Sequence, residues 1–246
     1  MRRIFVSPEN IKAGIITLKG EPLKKVRVVL RLNMGDALWV FDGSGYEYFS
    51  QIISLTSHEA ELRILKKDNP VRESPIEIHL GQALPKANKM NFIIQKAVEL
   101  GVSEIYPFYS SRTLPWYNEG QLINRLRRWQ KISQEASQQS GRNHIPAVNQ
   151  PKDFSTLLKS APEESLKIIL QKKSSENSLK NIMQIESKKK HIFFLVGPEG
   201  GFTQEEISLS LNFGFRPISL GERILRTETA AITLLSIIQY EWGDVC

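Results

Sequence analysis

The chain has 246 residues, of which 41% are hydrophobic and 24% are charged, and its net charge is +7. These fractions are typical of a folded globular protein and exclude collagen, extended disorder and coiled coil. The single cysteine, Cys246, excludes an internal disulfide and a cysteine-based zinc site. The longest apolar stretches are shorter than the ~20 residues that span a bilayer. Because no signal-peptide pattern follows Met1, we expect a cytoplasmic protein with no membrane partner.

The first 70 residues are predicted to form strands. Short apolar segments alternate with turn residues such as Gly35 and Gly45, which tolerate the positive φ of tight hairpins. Several short strands at this spacing favour a small barrel. A polar, proline-bearing segment at 66–75 is predicted to be a linker. The predicted strands are 15–18, 26–30, 37–41, 46–53 and 60–65.

After Pro75 the pattern changes to alternating strands and helices, which predicts an α/β layer with a largely parallel sheet. Thr203 and Glu206 form the S/T-x-x-E pattern of a capping box, so a helix is expected to begin there. The predicted strands are 76–80, 104–108, 166–170, 191–196 and 218–220. The predicted helices are 90–100, 121–139, one that starts after Thr203, and 228–240.

A glycine-bearing loop, 197–203, lies between a predicted buried strand and this capped helix. Ligands of open α/β sheets bind beyond the carboxyl ends of the strands, where this loop belongs. Paired glycines allow close approach of the backbone to a ligand. The loop matches neither the phosphate-binding loop nor the dinucleotide fingerprint, so neither ATP nor NAD is favoured. The alternative is a tight turn that binds nothing.

A second loop, 220–230, also joins a strand to a helix. Thr227 or Thr229 is predicted to cap that helix, and Arg226 stands beside the cap. An arginine at a helix N-terminus opposes the macrodipole, so helix stability does not explain it. A cation beside free N–H groups suits an anionic group or developing negative charge. The alternative is a solvated arginine.

The two loops together closely resemble the RsmE family, bacterial 16S ribosomal RNA uridine-N3 methyltransferases of the SPOUT (α/β-knot) superfamily. The resemblance covers nearly the whole chain, and the pair of loops is much more specific than either loop alone. One departure is Glu222, where many relatives are expected to have proline, which would change the stiffness of the loop. Further matching segments are 83–86, 95–102 and 134–142.

The resemblance implies a PUA-like RNA-binding barrel in residues 1–70 and a SPOUT domain in 71–246, with a deep trefoil knot at about 190–240. It implies a homodimer formed through the knot domain. It also implies S-adenosylmethionine as cofactor, with no metal. The implied cofactor residues are Leu170, Gly197, Pro198, Glu199, Gly200, Gly201, Leu220, Gly221, Ile224, Leu225, Arg226, Thr227, Thr229 and Ala230.

The implied reaction also suggests a catalytic residue. Uracil N3 must lose its proton before or during methyl transfer, and the resulting anion spreads over O2 and O4. A positioned cation would stabilise that anion, so Arg226 is the catalytic candidate. No proton acceptor is evident, since Glu199 and Glu228 could simply hold backbone N–H groups. The histidines at 79, 144 and 191 are interpreted as structural or surface residues.

The positive charge predicts a polyanionic partner, which under the resemblance is 16S rRNA in the small ribosomal subunit. One alternative is a SPOUT methyltransferase that acts on tRNA or 23S rRNA. Another is a non-catalytic RNA-binding factor for ribosome assembly. The predicted RNA-binding residues are Arg2, Arg3, Lys86, Arg112 and Arg142.

Overall fold

The computed structural model describes residues 2–113, 117–171, 179–185 and 188–245. The chain divides into two compact units. The first consists of Met1–Glu73 together with Ser137–Ile145, and the second of Ser74–Ala136 and Pro146–Cys246. The first unit therefore also includes the segment 137–145, which the predicted division between residues 70 and 71 assigns to the second domain.

The first unit contains a six-stranded sheet with the order β1-β4-β5-β6-β3-β2. The pair β1–β4 is parallel and the other pairs are antiparallel. The sheet curls around a core that includes Ile4, Ile16, Val40 and Leu62, as expected for a PUA-like domain. Its elements are β1 (Arg3–Phe5), β2 (Ile11–Lys12), β3 (Ile15–Leu18), α1 (Gly20–Lys24), β4 (Ala37–Phe41), β5 (Glu47–Leu55) and β6 (Ala60–Asp68).

Two predictions for this unit are wrong. Residues 26–30 are not a strand, because α1 continues into a π-helical turn over Lys25–Val29. Leu23 and Val26, three residues apart, are buried on one side of this helical segment, whereas Val28 is exposed. In addition, β6 extends to Asp68 and so occupies the start of the predicted linker.

The second unit contains a seven-stranded sheet in which every pair is parallel. The strand order is β10-β8-β7-β12-β11-β13, and β9 pairs with β8 as well. Its elements are β7 (Glu77–Ala83), α2 (Lys89–Glu99), β8 (Glu104–Tyr109), α3 (Glu119–Ser140, which ends in the first unit), β9 (Ala147–Val148), β10 (Lys152–Asp153), α4 (Phe154–Ser160), β11 (Leu166–Leu170), α5 (Leu179–Ile185), β12 (His191–Val196), α6 (Gln204–Asn212), β13 (Arg216–Ile218) and α7 (Thr227–Trp242).

The central strands are buried on both faces. Phe194 belongs to the hydrophobic cluster that includes Ile93 of α2 and Leu234 of α7. Its neighbour Phe193 points to the opposite face, into the cluster that includes Leu157 of α4 and Ile207 of α6. This alternation explains the continuous apolar run of β12. It also confirms the predicted α/β architecture.

The last helix returns from the edge of this sheet to its middle. β13 pairs only with β11 in the sheet path, yet α7 packs against α2, β7 and β12. The expected strand at 218–220 is displaced, since β13 ends at Ile218. The deep knot at about 190–240 stays a prediction. Of the helices in the described ranges, none is long and apolar enough to cross a membrane.

Candidate functional site

A cavity of about 520 Å³ lies beyond the carboxyl ends of β11, β12 and β13. This volume is in the range of small-molecule and cofactor sites. The walls come from three segments, each of which follows a strand, as expected for an α/β sheet. Every predicted cofactor residue except Thr229 lines this cavity. The other lining residues are Arg112, Gln171, Val196, Phe202, Thr203, Gln204, Ile207 and Arg223.

The glycines of the loop after β12 allow other side chains to pack closely against its backbone. A Cβ on Gly197 would lie 3.2 Å from the Phe202 ring, and one on Gly200 would lie 3.0 Å from Cδ of Arg112. Gly201 has a φ of +71° and its N–H donates to the Pro198 carbonyl at 2.8 Å. The loop is therefore a tight turn that also forms a cavity wall.

The helix α7 begins one residue earlier than expected, and neither threonine caps it. Arg226 occupies the N-cap position, with extended backbone and no side-chain cap hydrogen bond. Thr227 is instead buried: its Oγ1 donates to the Gly197 carbonyl at 2.7 Å and accepts from Gln82 Nε2 at 3.0 Å. These two bonds connect α7, the loop after β12, and β7. Thr229 is exposed and lies outside the cavity wall.

Arg226 is exposed and lines the cavity. Within the described ranges, its guanidinium takes no hydrogen-bond or ion-pair partner. Arg112 and Arg223 also line the cavity, so its wall is electropositive. A guanidinium that is not engaged by the protein keeps all of its donors for an anionic or electron-rich ligand.

Two carboxylates near the cavity share one lysine. Nζ of Lys89 lies 2.9 Å from Oε1 of Glu199 and 3.5 Å from Oε2 of Glu228. The hydrogen bond to Glu199 raises the pKa of Lys89. Burial raises the pKa of Glu199, but the bonds from Lys89 and from backbone N–H groups, including that of Lys86, outweigh it and lower the pKa overall.

Lys89 is not among the site residues predicted from the sequence. It is the first residue of α2, where a cation opposes the helix dipole, so the argument that singled out Arg226 applies to it as well. Glu199 and Glu228 thus hold Lys89. These ion pairs account for the presence of both carboxylates, and neither needs to act as the proton acceptor.

Arg3 was predicted to bind RNA, and this prediction is wrong because the side chain is buried. It is 3% exposed, and its guanidinium donates to the Arg142 carbonyl at 2.7 Å and to Oδ1 of Asn143 at 2.5 Å. The guanidinium also lies over the Phe41 ring, 3.8 Å from its centroid. Burial lowers its pKa to about 10, although Glu47 acts in the opposite direction.

The same correction applies to Arg142, which is 7% exposed. Its Nε and Nη2 donate to Oε2 of Glu73 at 2.9 and 2.5 Å. Because two of its nitrogens donate to this one carboxylate oxygen, little of the side chain is left for a phosphate. Arg2, Lys86 and Arg112 are exposed, and their RNA contacts stay predictions. Arg112 additionally donates to the Gly200 carbonyl at 2.8 Å.

The chain matches two protein families. The RNA methyltransferase domain matches residues 72–239, and the RNA methyltransferase PUA domain matches residues 29–65. Among similar sequences, ribosomal RNA small subunit methyltransferase E of Buchnera aphidicola (strain Sg) is 37% identical over 94% of this chain and 92% of its own length. The protein of the same name from Bacillus subtilis is 30% identical over 98% of this chain and 97% of its own length.

Solved structures agree with the sequence comparison. A putative methyltransferase from Legionella pneumophila, solved with bound SAM, is 36% identical with a TM-score of 0.90, and 99% of each chain is covered. A ribosomal RNA small subunit methyltransferase E from Neisseria gonorrhoeae, bound to S-adenosyl methionine, is 35% identical with a TM-score of 0.89 over 100% of both chains. With its PUA-type first unit, its parallel-sheet second unit and the two glycine loops around one cavity, the chain belongs to the ribosomal RNA small subunit methyltransferase E (RsmE) family.

Proposed function

We propose that this protein transfers a methyl group from S-adenosylmethionine to N3 of a specific uridine in 16S rRNA, on the assembled small subunit. One observation carries this proposal: an electropositive cavity of about 520 Å³ between the two glycine loops, with an unengaged arginine in its wall. Membership of the RsmE family supports the reaction and the substrate.

The residues around the cavity fit the proposed cofactor. The tight backbone at 197–201 and the loop at 220–225 offer peptide groups, and Leu170, Leu220 and Ile224 supply apolar wall. Such a mixture of apolar surface and few polar groups is typical of cofactor sites. When bound, S-adenosylmethionine supplies an electrophilic methyl group on a sulfonium.

The protein's own part in the reaction is electrostatic and positional. Arg226 would stabilise the charge that develops on O2 and O4 of uracil as N3 loses its proton. Thr227 holds the start of α7 against the Gly197 carbonyl, which positions the neighbouring Arg226 relative to the other loop. Methyl transfer also needs N3, methyl carbon and sulfur in line, so a fixed cavity wall contributes through orientation.

The partners follow from charge and exposed apolar surface. Arg2, Lys86 and Arg112 would contact phosphates, and such contacts give affinity and salt dependence rather than sequence choice.

We also propose a homodimer through the second unit, supported by two exposed aromatic residues, Phe92 of α2 and Tyr240 of α7, on helices that pack together. The proposed site of action is the bacterial cytoplasm, where ribosomal subunits are assembled.

The experiment is transfer of labelled methyl from S-adenosylmethionine to small subunits isolated from cells without the modification. Free 16S rRNA, 23S rRNA and bulk tRNA are tested in parallel, and each product is digested to nucleosides. We expect label in the subunit sample as N3-methyluridine, and loss of that label in an Arg226→Ala variant. An Arg127→Ala variant, changed on the exposed surface of α3, serves as the matched control.

Label in tRNA or 23S rRNA would contradict the proposed substrate and leave a methyltransferase of different specificity. Absence of label in every sample, with S-adenosylmethionine still bound, would instead favour a non-catalytic RNA-binding factor. Cofactor binding is measured separately by the rise in unfolding temperature that it causes.

A further inference from the structure

A second group of ionisable side chains lies at the amino-terminal ends of the parallel strands, at the opposite end of the sheet from the cavity. It consists of Glu77 and His79 on β7 and His191 on β12. Glu77 and His79 are two residues apart, so both point to the same face of the sheet. His191 is the register partner of Glu77 on the adjacent strand and shares that face. The three residues stand at the amino ends of their strands.

The possible ligand atoms of these residues are already close together. Oε2 of Glu77 lies 3.1 Å from Nδ1 of His191 and 3.9 Å from Nε2 of His79. One ligand atom from each residue can be chosen so that all three lie within 4.8 Å of one another. Two ligand atoms of one tetrahedral zinc ion are about 3.3–3.6 Å apart, since each bond is about 2.0–2.2 Å long. Modest side-chain rotations would therefore complete a common coordination sphere.

His79 is the fixed member of the cluster. Its side chain is 11% exposed, and its ring stacks on Phe193 with a centroid distance of 5.9 Å. Its Nδ1 is buried and has no hydrogen-bond partner among the described residues, although Oε2 of Glu104 on β8 lies 3.7 Å away. Metal-binding histidines commonly have a carboxylate beside the second ring nitrogen, which is the position of Glu104.

The other two ligands can adjust. The side chains of Glu77 and His191 are 61% and 40% exposed, so they can rotate without disturbing the core. Two imidazoles and one carboxylate without a thiolate are a ligand set for Zn²⁺ and similar divalent transition metals, and water would take the fourth position.

We propose that Glu77, His79 and His191 form a binding site for a divalent transition-metal ion of the Zn²⁺ class. The ion would link β7 to β12 at the amino-terminal ends of these strands, whereas the cavity lies beyond the carboxyl-terminal ends of the strands. It would therefore stabilise the second unit and take no part in methyl transfer. This inference concerns a structural ion rather than the cofactor of the reaction, and it is independent of the proposed function.

The test uses the full-length protein without an affinity tag, freed of metal with a chelator and titrated with Zn²⁺. Glu77→Gln and His191→Ala remove ligands at exposed positions, so the fold should be retained. His58→Ala removes an exposed histidine of the first unit and is the matched control. We expect one Zn²⁺ per chain in the wild type and the control, and affinity at least about tenfold weaker in both ligand variants.

Two further readouts make the outcome decisive. Zn²⁺ should raise the unfolding temperature of the wild type and the control but not of the ligand variants. Bound Co²⁺ should give visible absorption bands of a tetrahedral nitrogen and oxygen site. Equal Zn²⁺ affinity in the wild type and in His191→Ala would overturn the proposal, as would a thiolate-to-cobalt band, which would place the ion at Cys246.

Discussion

Two neighbouring residues at the start of α7 have opposite environments. Arg226 is exposed at the cavity wall, whereas Thr227 is buried and bonded to two other segments of the chain. Their side chains therefore have different roles, although they are adjacent in sequence. Arg226 is available to a ligand, and Thr227 holds the backbone that presents it.

Replacement of Arg226 by alanine should mainly affect turnover. Loss of one donor that stabilises developing negative charge typically lowers kcat by about 10²–10³-fold. Since the bulk of the cavity wall remains, we expect the Kd for S-adenosylmethionine to change by less than about threefold. Single-turnover methylation and equilibrium cofactor titration measure the two effects. An equal loss of turnover and cofactor affinity would contradict the catalytic role.

Thr227→Val and Thr229→Val form a matched pair within one helix. Thr227→Val keeps the shape of the side chain but leaves Gln82 Nε2 and the Gly197 carbonyl without this partner, which should cost about 1–3 kcal/mol of unfolding free energy. Thr229 is exposed, so its replacement should change that free energy by less than about 0.5 kcal/mol. Urea unfolding of both variants gives the comparison. Similar losses would show that the buried hydroxyl makes no special contribution.

At the scale of elements, the two cavity loops depend on glycine in different ways. At Gly197 and Gly200, neighbouring side chains lie so close that a Cβ would require them to shift by a few tenths of an ångström. Gly221 has open space around it but a φ of +113°, which other residues rarely adopt. A substitution at Gly221 therefore tests backbone strain without a steric clash.

Gly221→Ala should strain or displace the loop after β13. Such strain costs about 1–3 kcal/mol, and because the loop forms the cavity wall, we expect S-adenosylmethionine to bind about tenfold more weakly. Gly120→Ala in α3 is the control, since a helical glycine without a close neighbour gains about 0.4–1 kcal/mol of stability from this change. Cofactor titration and urea unfolding check both variants. Unchanged cofactor affinity in Gly221→Ala would show that the loop is not part of the binding site.

For the whole molecule, the number of lysine and arginine residues, 33, overstates the positive groups that are available to RNA. Arg3 and Arg142 are both engaged within the first unit. Arg3 on β1 binds the carbonyl of Arg142 in the returning segment 137–145, and Arg142 pairs with Glu73. Lys89 is likewise held by two carboxylates in the second unit. The prediction of RNA binding from positive charge therefore applies only to the exposed lysine and arginine residues.

Arg142→Ala should destabilise the first unit rather than weaken RNA binding directly. Removal of its charge-assisted hydrogen bonds leaves Glu73 with the hydrogen bond from the His144 N–H but without this ion pair, and should cost about 2–3 kcal/mol. Arg2→Ala, at an exposed position, should cost less than about 0.5 kcal/mol but reduce the salt dependence of RNA binding. Denaturant unfolding and a salt titration of RNA affinity separate the two effects. If the Arg142→Ala protein is stable and its RNA affinity depends less on salt, Arg142 contacts RNA as predicted from the sequence.

Much of the fold and of the site could be predicted from local patterns. The capping box at Thr203 is present as predicted, with both of its hydrogen bonds. The strands β7, β8, β11 and β12 follow from apolar runs, and the glycine loops follow from their position after strands. Such features depend on neighbours within a few residues, which the sequence displays directly.

The remaining features depend on contacts between residues far apart in the chain. Sequence alone determined the α/β class, the family and the two cavity loops. Only the tertiary structure decided that Arg3 is buried, that Lys89 joins Glu199 to Glu228, and that strand register brings His79 close to His191. Burial and strand register arise when distant segments pack together, and no local pattern of residue types specifies which side chains then meet.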